Sequence, residues 1–258
     1  MNFRSLIVDD EQLARENLQL MLEEHCPEIS IIGMAANPKE AETFILEKKP
    51  EVVFLDIRMP AGAEGIELLG RLPKINFQVV FVTAFRDYAV KSFRANGVPF
   101  ALKPLHIMDL DLVVNQIRST TELFQKDPAN IAVYEKAVQS LTRSFLLDEP
   151  SETLSVKLKD RLQLLNVADI DILEGGTETT LMLSSGSTIT DPRNLRAYEE
   201  ILHPSHFFRL SKLHMVNIAL IKKVKLSSKG DFVVLRDKRR IPLSPLRVNP
   251  LKEILAQR

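Results

Sequence analysis

Five residues in the first half of this chain have types and positions suited to phosphoryl chemistry. Asp9 and Asp10 follow the apolar run Leu6-Ile7-Val8, and Asp56 follows Val52-Val53-Phe54-Leu55. Thr83 closes the run Val79–Val82, and Lys103 closes Pro99–Leu102, just before Pro104. Three carboxylates in one pocket repel one another unless a cation neutralises them. Their oxygen ligands suit Mg²⁺, which keeps several waters and often works beside phosphate. A lysine point charge and a hydroxyl facing that cluster could hold phosphoryl oxygens. The reaction this points to is in-line attack of the Asp56 carboxylate on phosphorus, giving an acyl phosphate. Singly, an Asp after a strand is an ordinary turn or cap residue, and Lys-Pro an ordinary loop. The weight lies in their order, Asp-Asp, Asp, Thr, Lys, spread over four strand ends.

The elements that must bring these residues together are legible as periodicity. Five short apolar runs (Ser5–Val8, Ile29–Met34, Val52–Leu55, Val79–Val82 and Pro99–Leu102) alternate with helix-period segments. One segment carries Leu13, Leu18, Met21 and Leu22 on one face and stops at Pro27; the next opens with Asn37-Pro38, an N-cap and N1 pair. Buried-type strands alternating with helices predict an α/β doubly wound parallel five-stranded sheet. In such sheets ligands sit at the carboxyl ends of the strands, where the five residues fall.

With those motifs in view, residues 1–125 resemble the receiver domain of two-component response regulators. The carrying residues are Val8-Asp9-Asp10-Glu11, Leu55-Asp56-Ile57-Arg58-Met59-Pro60, Val82-Thr83-Ala84 and Leu102-Lys103-Pro104. The resemblance implies that Asp56 is the phosphoacceptor. It implies that Asp9, Asp10, Asp56 and the Arg58 main-chain carbonyl hold Mg²⁺, and that Lys103 contacts the phosphoryl group. Thr83 and Phe100 would be the switch pair, and the Lys103–Pro104 bond would be cis. One departure stands beside the site. Receivers commonly run Met-Pro, two or three residues, then Gly, whereas Met59-Pro60-Ala61-Gly62-Ala63-Glu64-Gly65 is one residue longer.

Residues 126–150 differ in pattern. Ile131, Tyr134, Val138, Leu141 and Phe145 are spaced 3, 4, 3 and 4, a helix with an apolar seam. The seam serves either packing of a helical linker on its own domain or a dimer contact.

Residues 151–258 read as a mostly β module. Strand patterns appear at Leu154–Leu158, Leu162–Leu164, Thr179–Leu183 and Phe232–Leu235. Turn signals stand at Gly175-Gly176, Ser185-Gly186 and Lys229-Gly230-Asp231. Helices are expected over Pro192–Leu202, capped by Asp191, and near Pro250–Ala256. The charge is as informative as the pattern. The whole chain balances 34 basic against 34 acidic residues, but residues 1–150 hold 16 basic and 22 acidic. The surplus of the second half sits in Ser205–Arg247, where eleven Lys and Arg face only Asp231 and Asp237. Such a patch is the footprint of phosphate-backbone binding. No helix-turn-helix, zinc finger or basic zipper is visible.

Residues 153–258 resemble the LytTR-type DNA-binding domain. The matching stretches are Asp169–Glu174, Phe207-Phe208-Arg209-Leu210, Met215-Val216-Asn217, Leu220–Val224 and Ile241-Pro242-Leu243-Ser244. The resemblance implies a module that inserts loops into successive major grooves and bends the DNA. Three loops would face DNA: Gly176–Thr180, with Thr179 and Thr180; Arg209–Lys212; and Ser244–Arg247. Lys212 and Arg247 are the base-reading candidates, since Lys or Arg can pair with guanine O6 and N7. Lys222 and Lys223 are expected at phosphates or in water, and Asn217 in a structural role. Where the family usually carries His-Lys/Arg-Ser-aromatic, this chain has Ser211-Lys212-Leu213-His214. Where a basic residue commonly follows the final Ser, it has Pro245.

The expected organisation is a receiver over 1–125, a helical linker over 126–150 and a DNA-binding domain over 151–258. The expected function is a DNA-binding transcriptional regulator, phosphorylated on Asp56 by a sensor histidine kinase. Phosphorylation would favour a homodimer on double-stranded DNA with repeated half-sites. It would not be an enzyme beyond its own phosphoryl transfer and dephosphorylation, because no general acid or substrate pocket for sustained turnover is visible. The competing readings are a receiver-controlled protein- or RNA-binding adaptor and an aspartyl-phosphate phosphotransferase. One cysteine, Cys26, excludes an intramolecular disulfide. Neither a signal sequence nor an apolar run of bilayer length is present, which predicts no membrane partner and a cytoplasmic protein. His203-Pro-Ser-His206 looks metal-like but reads better as a loop.

Overall fold

In the computed structural model, which describes residues 2–59, 64–84, 95–228 and 230–256, the chain divides into two compact units, residues 1–164 and 165–258. The first is built on five parallel strands: β1 (Phe3–Val8), β2 (Ile29–Ala35), β3 (Val52–Leu55), β4 (Gln78–Thr83) and β5 (Phe100–Leu102). Their order is β2-β1-β3-β4-β5. Every residue of β3 and β4 is buried, as expected of central strands covered on both faces. Around the sheet lie α1 (Gln12–His25), α2 (Pro38–Lys48), α3 (Glu64–Arg71), α4 (Ile107–Lys126) and α5 (Ala129–Leu147). Asn37 caps α2 as expected, its side chain accepting from Glu40 N, with Pro38 in the first turn.

The α5 seam is resolved by packing. Tyr134, Val138 and Leu141 belong to the same buried cluster as Leu69, Ile75 and Phe77, and Phe145 packs against it. The Tyr134 hydroxyl accepts a 2.9 Å hydrogen bond from Val79 N, at the outer edge of β4. The Glu135 carboxylate accepts one of 3.0 Å from Ile75 N. The expected linker helix is therefore an integral layer of the first unit, and its apolar stripe faces that unit's own core. Leu141→Ala should lower stability by roughly 2–5 kcal/mol, the usual range for a buried leucine. Thermal unfolding would read this, with sedimentation unchanged. A loss of dimer at wild-type thermal stability would contradict the packing.

After α5, β6 (Thr153–Lys157) pairs with β7 (Leu162–Asn166), and the boundary between the units falls inside β7. The second unit has an antiparallel sheet ordered β10-β9-β8-β12-β11. Its strands are β8 (Ile170–Gly175), β9 (Thr179–Leu183), β10 (Thr188–Asp191), β11 (Phe207–Arg209) and β12 (His214–Asn217). A second sheet holds β13 (Ile221–Lys225), β14 (Phe232–Leu235) and β15 (Arg240–Pro242). Two helices complete it, α6 (Leu195–Ile201) and α7 (Val248–Ala256). Its core gathers Ile172, Phe208, Val216, Val233, Leu235 and Leu251.

One cap differs from expectation. Asn194, not Asp191, caps the helix after β10, accepting from Ala197 N. Asp191 is buried and holds the Arg193 guanidinium at 2.8 and 2.9 Å. Its Oδ1 also accepts from Arg193 N at 2.8 Å, so the side chain closes the turn ahead of the helix, which opens three residues later behind Asn194. No helix among the described residues is long and apolar enough to cross a membrane.

Candidate functional site

The first unit's candidate site lies where β1, β3, β4 and β5 end. Asp9 and Asp56 stand one residue beyond β1 and β3, their amides still in the sheet's hydrogen-bond pattern: Asp9 N donates to Ala35 O, and Asp56 N to Val8 O. Both are buried, and Asp10 is half-buried. One carboxylate oxygen from each of Asp9, Asp10 and Asp56 lies within 4.8 Å of the others. Lys103 reaches in from the end of β5. Its Nζ donates at 2.6 Å to Asp9 Oδ2 and at 2.6 Å to Asp56 Oδ2. The Lys103–Pro104 peptide bond is cis. Thr83, fully buried, ends β4 beside Leu102. Phe100 pairs in register with Phe81, so two-residue alternation puts Thr83 and Phe100 on one face.

The electrostatics are those of a cation and phosphate site. Burial pushes the Asp56 carboxyl above its ordinary range and the neighbouring Asp9 adds to the shift, while the Lys103 ammonium works against both. Burial pulls Lys103 down, but its hydrogen bonds to Asp56 and Asp9 outweigh that and raise it. One ammonium among three carboxylates leaves net negative charge, which fits a divalent cation held by hard oxygen ligands. Arg58 N donates to Asp56 Oδ1 at 3.3 Å, so that turn folds back over the carboxylate.

Two supporting residues matter beyond those named from sequence. Arg15, on α1, donates to the carbonyls of Asp9 at 2.6 Å and Asp10 at 3.0 Å, fixing the turn that presents both carboxylates. An arginine in a first helical turn is common, so sequence alone did not single it out. Gly65 closes the lengthened loop, of which residues 60–63 lie outside the described part. A Cβ there would lie 1.7 Å from the Asp56 carbonyl oxygen, so only glycine lets α3 start this close to the acceptor strand.

In the second unit the basic loops are more differentiated than their sequence suggests. Thr179 is wholly buried. The alternation of β9 turns it inward and leaves Thr180 half-exposed, so the expectation that Thr179 meets DNA is corrected. Arg209 is also not a free contact. Its Nε and Nη2 donate to the carbonyls of Ser211 at 3.0 Å and Lys212 at 2.8 Å, and its Nη1 donates to Glu199 at 3.1 Å. With all three nitrogens committed and the side chain 16% exposed, it shapes the turn that presents Lys212. Arg239 is likewise tied to Asp171 and Asp237. Arg247, half-exposed, gives one nitrogen to Glu199 at 3.2 Å. Lys212, Lys222 and Lys223 are exposed and make none of these ion pairs. Asn217 is structural as expected, accepting from Ala219 N and donating to Ile170 O. His203 bonds Ser205 within its loop, and no third metal ligand joins it and His206 among the described residues.

The first unit contains a receiver, and the second has the make-up of a nucleic-acid reader. A response regulator receiver domain matches over residues 5–115 and a LytTr DNA-binding domain over 160–256. The chain belongs to the response regulators that join these two domains. Transcriptional regulatory protein BtsR of Salmonella typhi is 30% identical over 257 residues, spanning 97% of this chain and 98% of that protein. BtsR of Escherichia coli strain K12 matches to the same extent. A response regulatory protein of Vibrio cholerae is 30% identical over 253 residues, 97% of this chain and 98% of its own. Among solved structures, a LytTr DNA-binding domain from Bacillus cereus aligns with 40% of this chain and 96% of its own, at 19% identity and TM-score 0.36.

Proposed function

We propose that this chain is a transcriptional regulator switched by phosphorylation of Asp56, with a sensor histidine kinase as donor. Residues 1–125 act as receiver, α5 as the connecting layer and 151–258 as the reader of double-stranded DNA. The observation that carries the reading is the pair of 2.6 Å contacts from Lys103 Nζ to Asp9 and Asp56 at the strand ends. A positive charge beside the Asp56 carboxylate supports the reading because a phosphoryl group on Asp56 would need one.

Asp9, Asp10 and Asp56, with the Arg58 carbonyl, would hold Mg²⁺, which supplies neutralising charge for the phosphoryl oxygens. An Asp56 carboxylate oxygen forms the bond to phosphorus as the donor's P–N bond breaks, and the departing imidazole takes up a proton. Lys103 then exchanges its contact with the Asp56 carboxylate for a phosphoryl oxygen. Thr83 offers its hydroxyl to another, and Phe100, on the same face, follows. The altered face favours a homodimer, which sets two readers on repeated half-sites. In the reader, Lys212 and Arg247 take base edges, Thr180 lies at the first loop, and Lys222 and Lys223 meet phosphates. Arg209 acts behind them. The proposed setting is the cytoplasm, where kinase output and DNA meet. No catalytic turnover on an external substrate is part of the proposal.

The test is selection of duplexes from a random pool with and without a small phosphoryl donor and Mg²⁺. Enrichment of a repeated half-site, tightened by the donor, is expected. Equal recovery of RNA, or of unrelated duplexes, would favour the adaptor reading instead.

A further inference from the structure

Glu199 stands between the two turns that carry the base-reading candidates. It lies on α6, whose neighbouring Tyr198 and Ile201 are buried, so its backbone position is set by the core. Its two carboxylate oxygens are divided: Oε2 accepts from Arg209 Nη1 at 3.1 Å, and Oε1 accepts from Arg247 Nη2 at 3.2 Å. Arg209 in turn holds the Ser211 and Lys212 carbonyls. One carboxylate therefore connects the Lys212 turn to the Arg247 turn. A single main-chain bond, Ser244 N to Leu210 O at 2.9 Å, also joins these segments, but it fixes no side chain.

From this arrangement we infer that Glu199 is a positioning residue for sequence discrimination, a role that rests on the DNA-reading assignment above. Two effects follow from one group. Its acceptors hold Arg247 and the Lys212 turn at a fixed separation, so both reach their base edges together. Its negative charge lies close to the cationic face and opposes attraction to any phosphate backbone. Correct sites recover the cost through direct base contacts, whereas incorrect sites do not; discrimination gains where general affinity loses. A direct arginine–guanine contact uses two donors of the guanidinium fork, and the single nitrogen given to Glu199 leaves enough donors for it.

The experiment measures Kd of the full chain for a selected duplex and for a scrambled duplex of equal length, at two salt concentrations. The proteins compared are wild type, Glu199→Gln and Glu199→Ala. For Glu199→Ala, affinity for the scrambled duplex is expected to rise a few-fold at low salt. The ratio of selected to scrambled affinity should fall by about tenfold, the size of one weakened base contact. Glu199→Gln keeps one carbonyl acceptor without the charge, and should recover part of the ratio while retaining the raised scrambled affinity. A residue that merely held the fold together would lower both affinities in parallel, and that result overturns the inference. So does an unchanged ratio in both variants. If wild type itself fails to separate the two duplexes, the DNA-reading assignment falls first and Glu199's role with it.

Discussion

Asp56→Asn should abolish formation of hydroxylamine-sensitive phosphate on the chain, a complete loss rather than a slowed reaction. The amide has no anionic oxygen to attack phosphorus, and the neighbouring carboxylates are engaged in holding the site. Asp9 is already held by Lys103 and by Glu11 N. Asp10 is half-buried beside a turn clamped by Arg15. Retained labelling with an intact protein mass would reassign the acceptor. The same variant has a second readout in metal-free buffer. Burial raises the Asp56 carboxyl above its ordinary range, so its proton is bound more tightly folded than unfolded. Its contribution to stability is therefore full in acid and lost as pH rises through the folded value. Removing the charge should raise the thermal midpoint at neutral pH relative to wild type, with the difference shrinking toward acid. An equal difference at every pH would detach that effect from the ionisation of Asp56.

The second large effect is on sequence preference. Lys212→Ala combined with Arg247→Ala should bring the affinity for a selected duplex down toward that for a scrambled one. Each good base contact is worth about 1–3 kcal/mol of discrimination, so two together span roughly 2–6 kcal/mol. Binding itself should persist, because Lys222 and Lys223 remain exposed on β13. It should stay sensitive to salt. A footprint indistinguishable from wild type would remove both residues from base reading.

The receiver was the more legible half in sequence, for a physical reason. Its central strands, β3 and β4, are buried on both faces and read as unbroken apolar runs. Val52–Leu55 coincides with β3, and Val79–Val82 extends by one residue at each end to β4. The site residues follow those runs directly. The second unit was harder because its strands are short and half-covered. Thr179–Leu183 and Phe232–Leu235 match β9 and β14, but β8, β11, β12, β13 and β15 have no clear periodic signature. Side-chain commitments were the least visible level. Arg209 and Lys212 are alike as basic residues in one turn, yet the first is consumed by two carbonyls and Glu199 while the second is exposed. The α5 seam illustrates a different limit: a 3-4 spacing shows that a helix buries one stripe, not what covers it. Only the placement of Tyr134 and Leu141 in the core of the first unit answers that.

The ion pairs of the second unit bear on how many small cations DNA sheds when the protein arrives. Arg209 and Arg247 share the Glu199 carboxylate, and Arg239 pairs with Asp171 and Asp237. Lys212, Lys222, Lys223, Lys225, Arg236, Lys238 and Arg240 form no such pair among the described residues, and displacement of counterions falls to them. If all seven met phosphates, log K would fall against log salt with a slope of about −6 per bound chain, whereas the same seven with the three paired arginines would give about −9. Among the described residues of this segment, the internal carboxylates thus lower the ionic-strength sensitivity below what the basic residues alone would suggest.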